Sequence, residues 1–113
     1  MGSIIKGTCK NCGYETESLL YGGGMRNFKT HCKYPVLDKV EKVVKMENIM
    51  EKDEVIKQNP NLIFYDNPAL RNKDLKNKGI YHEWGEYKLY NEGYLCPKCN
   101  KFSFGFMAVG CWD

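Results

Sequence analysis

The sequence predicts a single α+β domain, residues 1–113, built mostly from short antiparallel strands. A chain of this length can bury one modest core, and its 42% hydrophobic and 27% charged residues are ordinary for a globular protein. Its longest apolar runs, residues 62–65 and 106–109, have the length of strands. We therefore expect low helix content, with one or two short helices between residues 36 and 60.

The beginning of the chain has the pattern of a β-hairpin. Residues 3–8 form a short segment with two consecutive isoleucines, and residues 14–21 alternate in part between polar and apolar side chains. Gly13 stands between them, where a reversing chain needs the positive φ that glycine adopts easily. The three glycines at 22–24 would end this hairpin as a flexible turn.

The middle of the chain gives weaker signals. Residues 36–50 are compatible with a helix or with strands, because some of their apolar side chains share a helical face while others alternate. Asp53 is a candidate N-cap for a short helix over residues 54–58, which Pro60 would end.

The second half of the chain has clearer strand signals. Residues 62–66 indicate a buried strand, and residues 69–79 indicate a polar, basic loop or short helix. The dense aromatic residues between 80 and 95 indicate one or two strands bent at Gly85, with their rings in the core. Residues 101–109 give the clearest strand, because three aromatic residues recur there at period two and would share one face: Phe102, Phe104 and Phe106.

Two Cys-x-x-Cys pairs, one near each end of the chain, carry the most specific chemical information. The first pair is Cys9 and Cys12, and the second is Cys96 and Cys99. Each pair can place two thiolates on one side of a tight turn, and together they offer the four soft ligands of a structural zinc site. Because four thiolates close the shell and leave no position for water or substrate, we expect a structural zinc ion.

The two turns that hold these cysteines are alike in sequence. Asn100 follows the second pair as Gly13 follows the first, and asparagine is the residue that tolerates the left-handed region best after glycine. Pro97 restricts φ within the second turn. The sequence therefore predicts two similar halves of one metal site.

The six cysteines also allow other interpretations. A disulfide framework or a thioredoxin-like redox pair is less favoured, because there is no export signal and no βαβ pattern surrounds either motif. His31 and Cys32 are alternative ligands for a site that would also use Cys9 and Cys12. Otherwise we expect Cys32 and Cys111 to be free, buried thiols.

The segments "CKNCGY" and "CPKCNKFSF" resemble the two zinc knuckles of zinc-ribbon proteins, as found in many small bacterial proteins of unknown function. They are also similar to the knuckles of rubredoxin, which binds iron. The resemblance implies a ribbon formed by about residues 3–21 and 92–110, with residues 22–91 as an insertion much longer than the usual separation. It implies metal binding and assigns no function to the insertion. Iron is less favoured than zinc, because the long insertion and the mildly basic charge are unlike rubredoxin.

The remaining features favour an interaction module over an enzyme. Neither histidine has a nucleophile and an orienting acid near it in sequence, and His82 is expected to be structural. We therefore expect no catalytic residues and no small-molecule substrate, and rubredoxin-like electron transfer is the alternative function. No apolar run reaches the length of a membrane helix and no signal peptide is visible, so we expect a cytoplasmic protein without a membrane partner.

The partner we expect is a macromolecule, with protein slightly favoured over nucleic acid. The net charge of +3 and the pI near 8.5 are only mildly basic. One local basic cluster is either a solvated loop or a set of phosphate contacts, and it consists of Arg71, Lys73, Lys76 and Lys78.

Overall fold

The computed structural model describes residues 2–22, 32–75, 79–84 and 87–112, except for the side chains of Trp84 and Trp112. Over these residues the chain forms short antiparallel strands and one short α-helix, which confirms the predicted α+β class. The elements are β1 (Gly2–Cys9), β2 (Leu19–Tyr21), β3 (Lys33–Asp38), β4 (Val43–Asn48), α1 (Lys52–Gln58), β5 (Leu62–Phe64), β6 (Tyr81–Trp84), β7 (Tyr87–Tyr90) and β8 (Phe104–Trp112).

The first sheet has the order β2-β1-β8 and joins the two ends of the chain. β1 pairs with β2 as the predicted hairpin, although β2 is shorter than residues 14–21. β1 also pairs along its whole length with β8, so that Cys9 lies opposite Phe104. This pairing brings the segments that carry the two Cys-x-x-Cys pairs to the same end of one sheet.

The second sheet has the order β4-β3-β5 and resolves the ambiguity over residues 36–50, which form two strands around a turn and then enter a 3-10 turn at Ile49. The turn follows from Asp38, whose carboxylate accepts hydrogen bonds from the amides of Val40 and Glu41, both at 2.9 Å. Such an Asp-centred turn reverses the chain and competes with a helix. β5 is shorter than the expected residues 62–66.

The helix begins earlier than predicted. Asp53 lies inside α1, and Glu51 occupies the N-cap position without a capping hydrogen bond from its side chain. A 3-10 turn, Ile49–Glu51, leads directly into the helix, and Asn48 caps that turn by accepting a hydrogen bond from the amide of Met50. The expectation for Asp53 was therefore wrong, because the chain enters α1 from backbone that is already helical.

The aromatic segment forms a separate hairpin, β6 paired with β7. The expected bend at Gly85 lies outside the described residues. The rings are not all in the core, since Tyr94 is 1% exposed and Tyr81 is 42% exposed. The preceding basic segment contains two short 3-10 turns, Pro68–Leu70 and Lys73–Leu75.

Buried aromatic side chains fill the space beside the first sheet. Their ring centroids lie 5.1–6.2 Å apart, in the edge-on and offset arrangements that add stability beyond burial. The expectation that Phe102 shares this face was wrong, because β8 begins only at Phe104 and Phe102 is 45% exposed in the preceding turn. The rings of this cluster are Tyr65, Tyr94, Phe104 and Phe106.

Tyrosine hydroxyls connect the core to the backbone of distant segments. Tyr34 on β3 donates to the carbonyl of Lys88 on β7 at 2.7 Å, which links the second and third sheets. Tyr65 donates to the carbonyl of Leu95 at 2.9 Å, directly before the second cysteine pair. Each buried hydroxyl is thereby satisfied, as burial of a polar group requires.

Candidate metal centre

Two short turns carry the four paired cysteines. We call residues 9–13 the first knuckle and residues 96–100 the second knuckle. Each turn closes with the same backbone hydrogen bond, from Gly13 N to Cys9 O at 3.1 Å and from Asn100 N to Cys96 O at 3.0 Å. Gly13 has φ of 81° and Asn100 has φ of 57°, which confirms that both turns end in the left-handed region.

The backbone fixes the two knuckles against each other. The first knuckle directly follows β1, and the amide of Lys10 donates to the carbonyl of Ser103 at 3.0 Å. The second knuckle is closed by a bond from the amide of Cys96 to the carbonyl of Lys101 at 2.9 Å. The pairing of β1 with β8 is thus extended as far as the cysteines.

The four sulfur atoms form a compact group. The Sγ atoms of Cys9 and Cys99 are 3.7 Å apart, and those of Cys12 and Cys96 are 3.6 Å apart. All four lie within 4.8 Å of one another. Zinc–sulfur bonds of about 2.3 Å in a tetrahedron correspond to sulfur–sulfur distances of about 3.8 Å. The donor set and its spacing are therefore compatible with a tetrathiolate site.

Hydrogen-bond donors surround the sulfurs unevenly. Cys9 Sγ accepts from the amides of Asn11 and Cys12, each at 3.4 Å, and lies 3.0 Å from the hydroxyl of Ser103. Cys96 Sγ accepts from the amide of Lys98 at 3.4 Å. Such donors stabilise thiolates, because they place positive partial charge beside the sulfur.

The first cysteines of the two knuckles also differ in acidity. Burial acts to raise the pKa of Cys9, but hydrogen bonds from Ser103 and from the amides of Cys12 and Asn11 outweigh it and lower that pKa to about 6. Burial dominates at Cys96 and raises its pKa to about 12. The thiol of Cys96 therefore has the greater need of a cation before it ionises.

The other two cysteines lie apart from this group. Cys32 is fully buried and unpaired, as expected, and burial raises its pKa to about 12. Cys111 is exposed on β8, so the expectation that it is buried was wrong. The reason is that the far end of β8 is left uncovered, since residues 107–111 are all exposed, whereas Phe104 and Phe106 at its start are buried. His31 lies outside the described residues.

The predicted basic cluster is divided between the interior and the surface. Arg71 is buried, its guanidinium carbon lies 3.7 Å from the centroid of the Tyr90 ring, and its Nε donates to the carbonyl of Glu92 at 3.2 Å. Lys73 is exposed. Lys76 and Lys78 lie outside the described residues. Arg71 thus has an internal role, joining the basic segment to the β6–β7 hairpin.

Sequence reasoning missed Ser103, whose hydroxyl approaches the sulfurs of both knuckles. Its Oγ lies 3.0 Å from Cys9 Sγ and 3.9 Å from Cys99 Sγ. The available signal was its position four residues after Cys99, in the short segment between the second knuckle and β8. Only the pairing of β1 with β8 shows that this segment also reaches the first knuckle.

In comparisons with known proteins, no family model, no curated protein and no solved structure matches the chain. Among the described residues, no helix is long and apolar enough to cross a membrane.

Proposed function

We propose that this protein binds one zinc ion through Cys9, Cys12, Cys96 and Cys99, and that the ion is structural. The observation that carries the proposal is the spacing of the four sulfurs, 3.6 and 3.7 Å between the close pairs. These distances fit the edges of a zinc–thiolate tetrahedron, and four thiolates fill the shell that zinc prefers. The ion joins the first strand to the last across most of the chain.

Zinc binding in this arrangement contributes directly to folding. In zinc-finger peptides the apparent binding free energy is roughly 10–16 kcal/mol at pH 7, and a site that exists only in the folded state adds such energy to stability. The buried thiol of Cys96 supports this role, because a metal ion compensates the cost of ionising it in place. Removing the ion should therefore loosen both knuckles together.

The first experiment measures metal content and the visible spectrum on protein purified without added metal. We expect one zinc per chain and no visible absorption. A strong chelator should then lower the melting temperature, and zinc should restore it. The variant Cys111→Ser is the matched control and should keep its zinc, since Cys111 lies apart from the group. Protein that neither contains nor binds a metal would overturn the proposal.

The same experiment distinguishes electron transfer, the alternative function. A red protein with one iron per chain that bleaches on reduction would favour a rubredoxin-like role. Expression in zinc-supplemented medium is the control, because a shortage of zinc can load iron into a thiolate site. Colourless zinc protein would instead direct attention to macromolecular partners.

We further propose that the zinc-stabilised fold acts as an interaction module and not as an enzyme, with protein favoured over nucleic acid as the partner. The internal position of Arg71 supports this preference, because it removes one of the four proposed phosphate contacts from the surface. Binding to a single-stranded oligonucleotide at several salt concentrations tests the preference. Tight binding that weakens steeply with salt and is reduced by Lys73→Gln would reverse it.

A further inference from the structure

A cavity beside the second knuckle has the features of a peptide-binding groove. It has a volume of about 300 Å³, at the lower end of the range for ligand sites. Buried or half-buried apolar side chains form most of its wall, while Lys39 and Lys42 at its margin are exposed. We call this cavity the knuckle groove, and its apolar wall consists of Leu37, Ile63, Leu70, Leu95 and Pro97.

The β3–β4 turn brings a small excess of positive charge to the knuckle groove. Both acidic residues of the β3–β4 turn are paired with Lys45, Asp38 at 3.0 Å and Glu41 at 2.5 Å. Asp38, which also lines the groove, accepts two backbone amides of the turn, so its carboxylate is held within the turn. Across the part of the chain that the structure describes, Lys39 and Lys42 form no ion pair. Three lysines and two carboxylates therefore leave the turn beside the groove, Asp38 included, with a formal net charge of +1.

Lys42 is held in an unfavourable backbone conformation. Its φ is 56°, in the left-handed region where glycine or asparagine is preferred over a lysine. Lys42 and Asn100 are the two non-glycine residues with positive φ among those described, and both line the knuckle groove. Strained residues of this kind tend to occur at functional sites, and here the strain places a cation where a neutral residue would fit better.

The groove is also joined to the metal centre. Pro97 and Asn100 belong to the second knuckle, and Leu95 immediately precedes it. The amide of Leu95 donates to the carbonyl of Leu70 at 2.8 Å, which connects two residues of the apolar wall. One side of the groove is thus a direct extension of the turn that holds Cys96.

The knuckle groove adjoins a second cavity, so the two together are longer than one side chain requires. A second cavity of about 550 Å³ shares Lys39 and Ile63 with the knuckle groove. Among the described residues that line it, the charged ones besides Lys39 are Lys52 and Asp66, which are paired with each other at 2.5 Å. An extended chain can therefore pass from one cavity to the other beside the unpaired lysine.

We propose that the knuckle groove binds an acidic segment of a partner protein, with one aliphatic or aromatic side chain in the cavity and carboxylates beside Lys39 and Lys42. The inference rests on the proposed interaction function and names the chemistry of its partner. The apolar wall binds one side chain of the partner segment, and the unpaired lysines favour acidic over basic residues next to that side chain. Because the second knuckle forms part of the wall, binding depends on the metal ion.

The test titrates zinc-saturated, ¹⁵N-labelled protein with the peptide Gly-Asp-Glu-Leu-Glu-Asp-Gly and follows the backbone amide shifts. We expect saturable shifts centred on Leu37, Lys42, Leu95 and Asn100, which weaken at high salt. Peptides with glycine in place of leucine, or with glutamine and asparagine in place of the acids, should each bind more weakly. Shifts that do not saturate, or that map elsewhere, would overturn the proposal.

The decisive variant is the double substitution Lys39→Gln and Lys42→Asn. It should weaken peptide binding by roughly threefold to thirtyfold, the combined effect of two surface charges. Its melting temperature should equal or exceed that of the parent protein, because asparagine suits the conformation of residue 42. Lys57→Gln, on the exposed surface of α1, is the matched control and should bind as the parent does. Unchanged affinity in the double variant would overturn the proposal.

Two further measurements separate this inference from the proposed function. Zinc content is determined for every protein used. Protein that contains zinc but does not bind the peptide would contradict the groove proposal and leave the proposed zinc site intact. Metal-free protein that still binds the peptide would contradict the structural role of the metal and its link to the groove. A single-stranded oligonucleotide that binds at Lys39 and Lys42 more tightly than the peptide would replace the acidic segment with nucleic acid.

Discussion

The two knuckles have the same turn geometry but are held by different parts of the molecule. The first extends a strand that is paired on both sides, since β1 lies between β2 and β8. The second is held by loops, with Tyr94 paired to Arg71 and to Phe104 by isolated bridges. A sheet positions the first knuckle, and the packing of irregular segments positions the second. Local sequence therefore determines the two turns, but it does not determine the segments that hold them in place.

Burial differs in the same way at the four sulfurs. Cys9 and Cys96 are 5% and 0% exposed, whereas Cys99 is half-buried and Cys12 is exposed. Each knuckle thus contributes one interior and one outer cysteine, and the interior cysteine of the second knuckle is the most deeply buried. The consequences of losing a ligand should follow this order.

The largest expected effect comes from comparing Cys96→Ser with Cys12→Ser. Cys96→Ser should abolish stoichiometric zinc binding and cooperative unfolding, because it removes a buried thiolate and leaves a hydroxyl in its place. Cys12→Ser should retain zinc with lower affinity, because water can reach the exposed corner and complete the shell. Zinc analysis and thermal unfolding measure both effects. Equal loss in the two variants would contradict a difference between the interior and the outer ligands.

The next comparison concerns the stability effect of adding a Cβ at two glycines, one shortly before the first knuckle and one shortly after the second. A Cβ at Gly105 would lie 1.8 Å from the carbonyl oxygen of Asn91, which is backbone, and one at Gly7 would lie 2.4 Å from the ring of Phe104. Overpacking costs about 1–3 kcal/mol and occasionally more. We expect about 1–3 kcal/mol for Gly7→Ala and more for Gly105→Ala, because a backbone segment cannot yield as a ring can.

Denaturant titration of zinc-saturated protein measures these free energies of unfolding. Gly110→Ala in β8 is the matched control, since its nearest neighbour would be Ile4 at an ordinary 3.5 Å, and we expect a change within about 0.5 kcal/mol. If Gly105→Ala were as mild as Gly110→Ala, residues 91–92 would not pack against the start of β8 as described.

The sequence predicted the local features of the site well. Cys-x-x-Cys spacing, Gly13 and Asn100 each report a turn whose geometry depends on a few adjacent residues, and those turns are present. The period of two after residue 101 likewise predicted β8, although the strand starts later and Phe102 lies outside it. Sequence patterns of this kind predict structure correctly because the turns and the strand depend on interactions between residues that are close in sequence.

The features that sequence could not provide depend on contacts between distant segments. Nothing near Arg71 in the sequence indicates that its guanidinium lies on Tyr90, and its charge alone suggested the surface. Cys111 was expected in the core because of its residue type, whereas it is exposed because no other segment covers the far end of β8 among the described residues. Residues 36–50 were undecided because hydrophobic pattern does not show that the side chain of Asp38 reverses the chain.

The smallest expected effects come from exchanging the last residues of the two knuckles. Gly13→Asn gives the first knuckle the residue of the second, and Asn100→Gly does the reverse. Each exchange should change the free energy of unfolding by no more than about 0.5 kcal/mol, because both residue types accept the left-handed region. Alanine at either position should cost about 1 kcal/mol or more, because in the left-handed region its Cβ lies too close to the adjoining backbone carbonyl.

At Gly13 this cost has a single origin, since a Cβ there would have no atom within 4 Å beyond its own residue and the two adjacent ones, among the residues the structure describes. Gly13→Ala therefore measures backbone strain alone, and denaturant titration of zinc-saturated protein provides the value. Asn100 differs because it lines the knuckle groove. If Asn100→Gly lowered the free energy of unfolding clearly more than Gly13→Asn, the two turns would not be equivalent, and the side chain of Asn100 would account for the difference. If Asn100→Gly were neutral for stability but weakened peptide binding, the turns would be equivalent in folding and distinct in recognition.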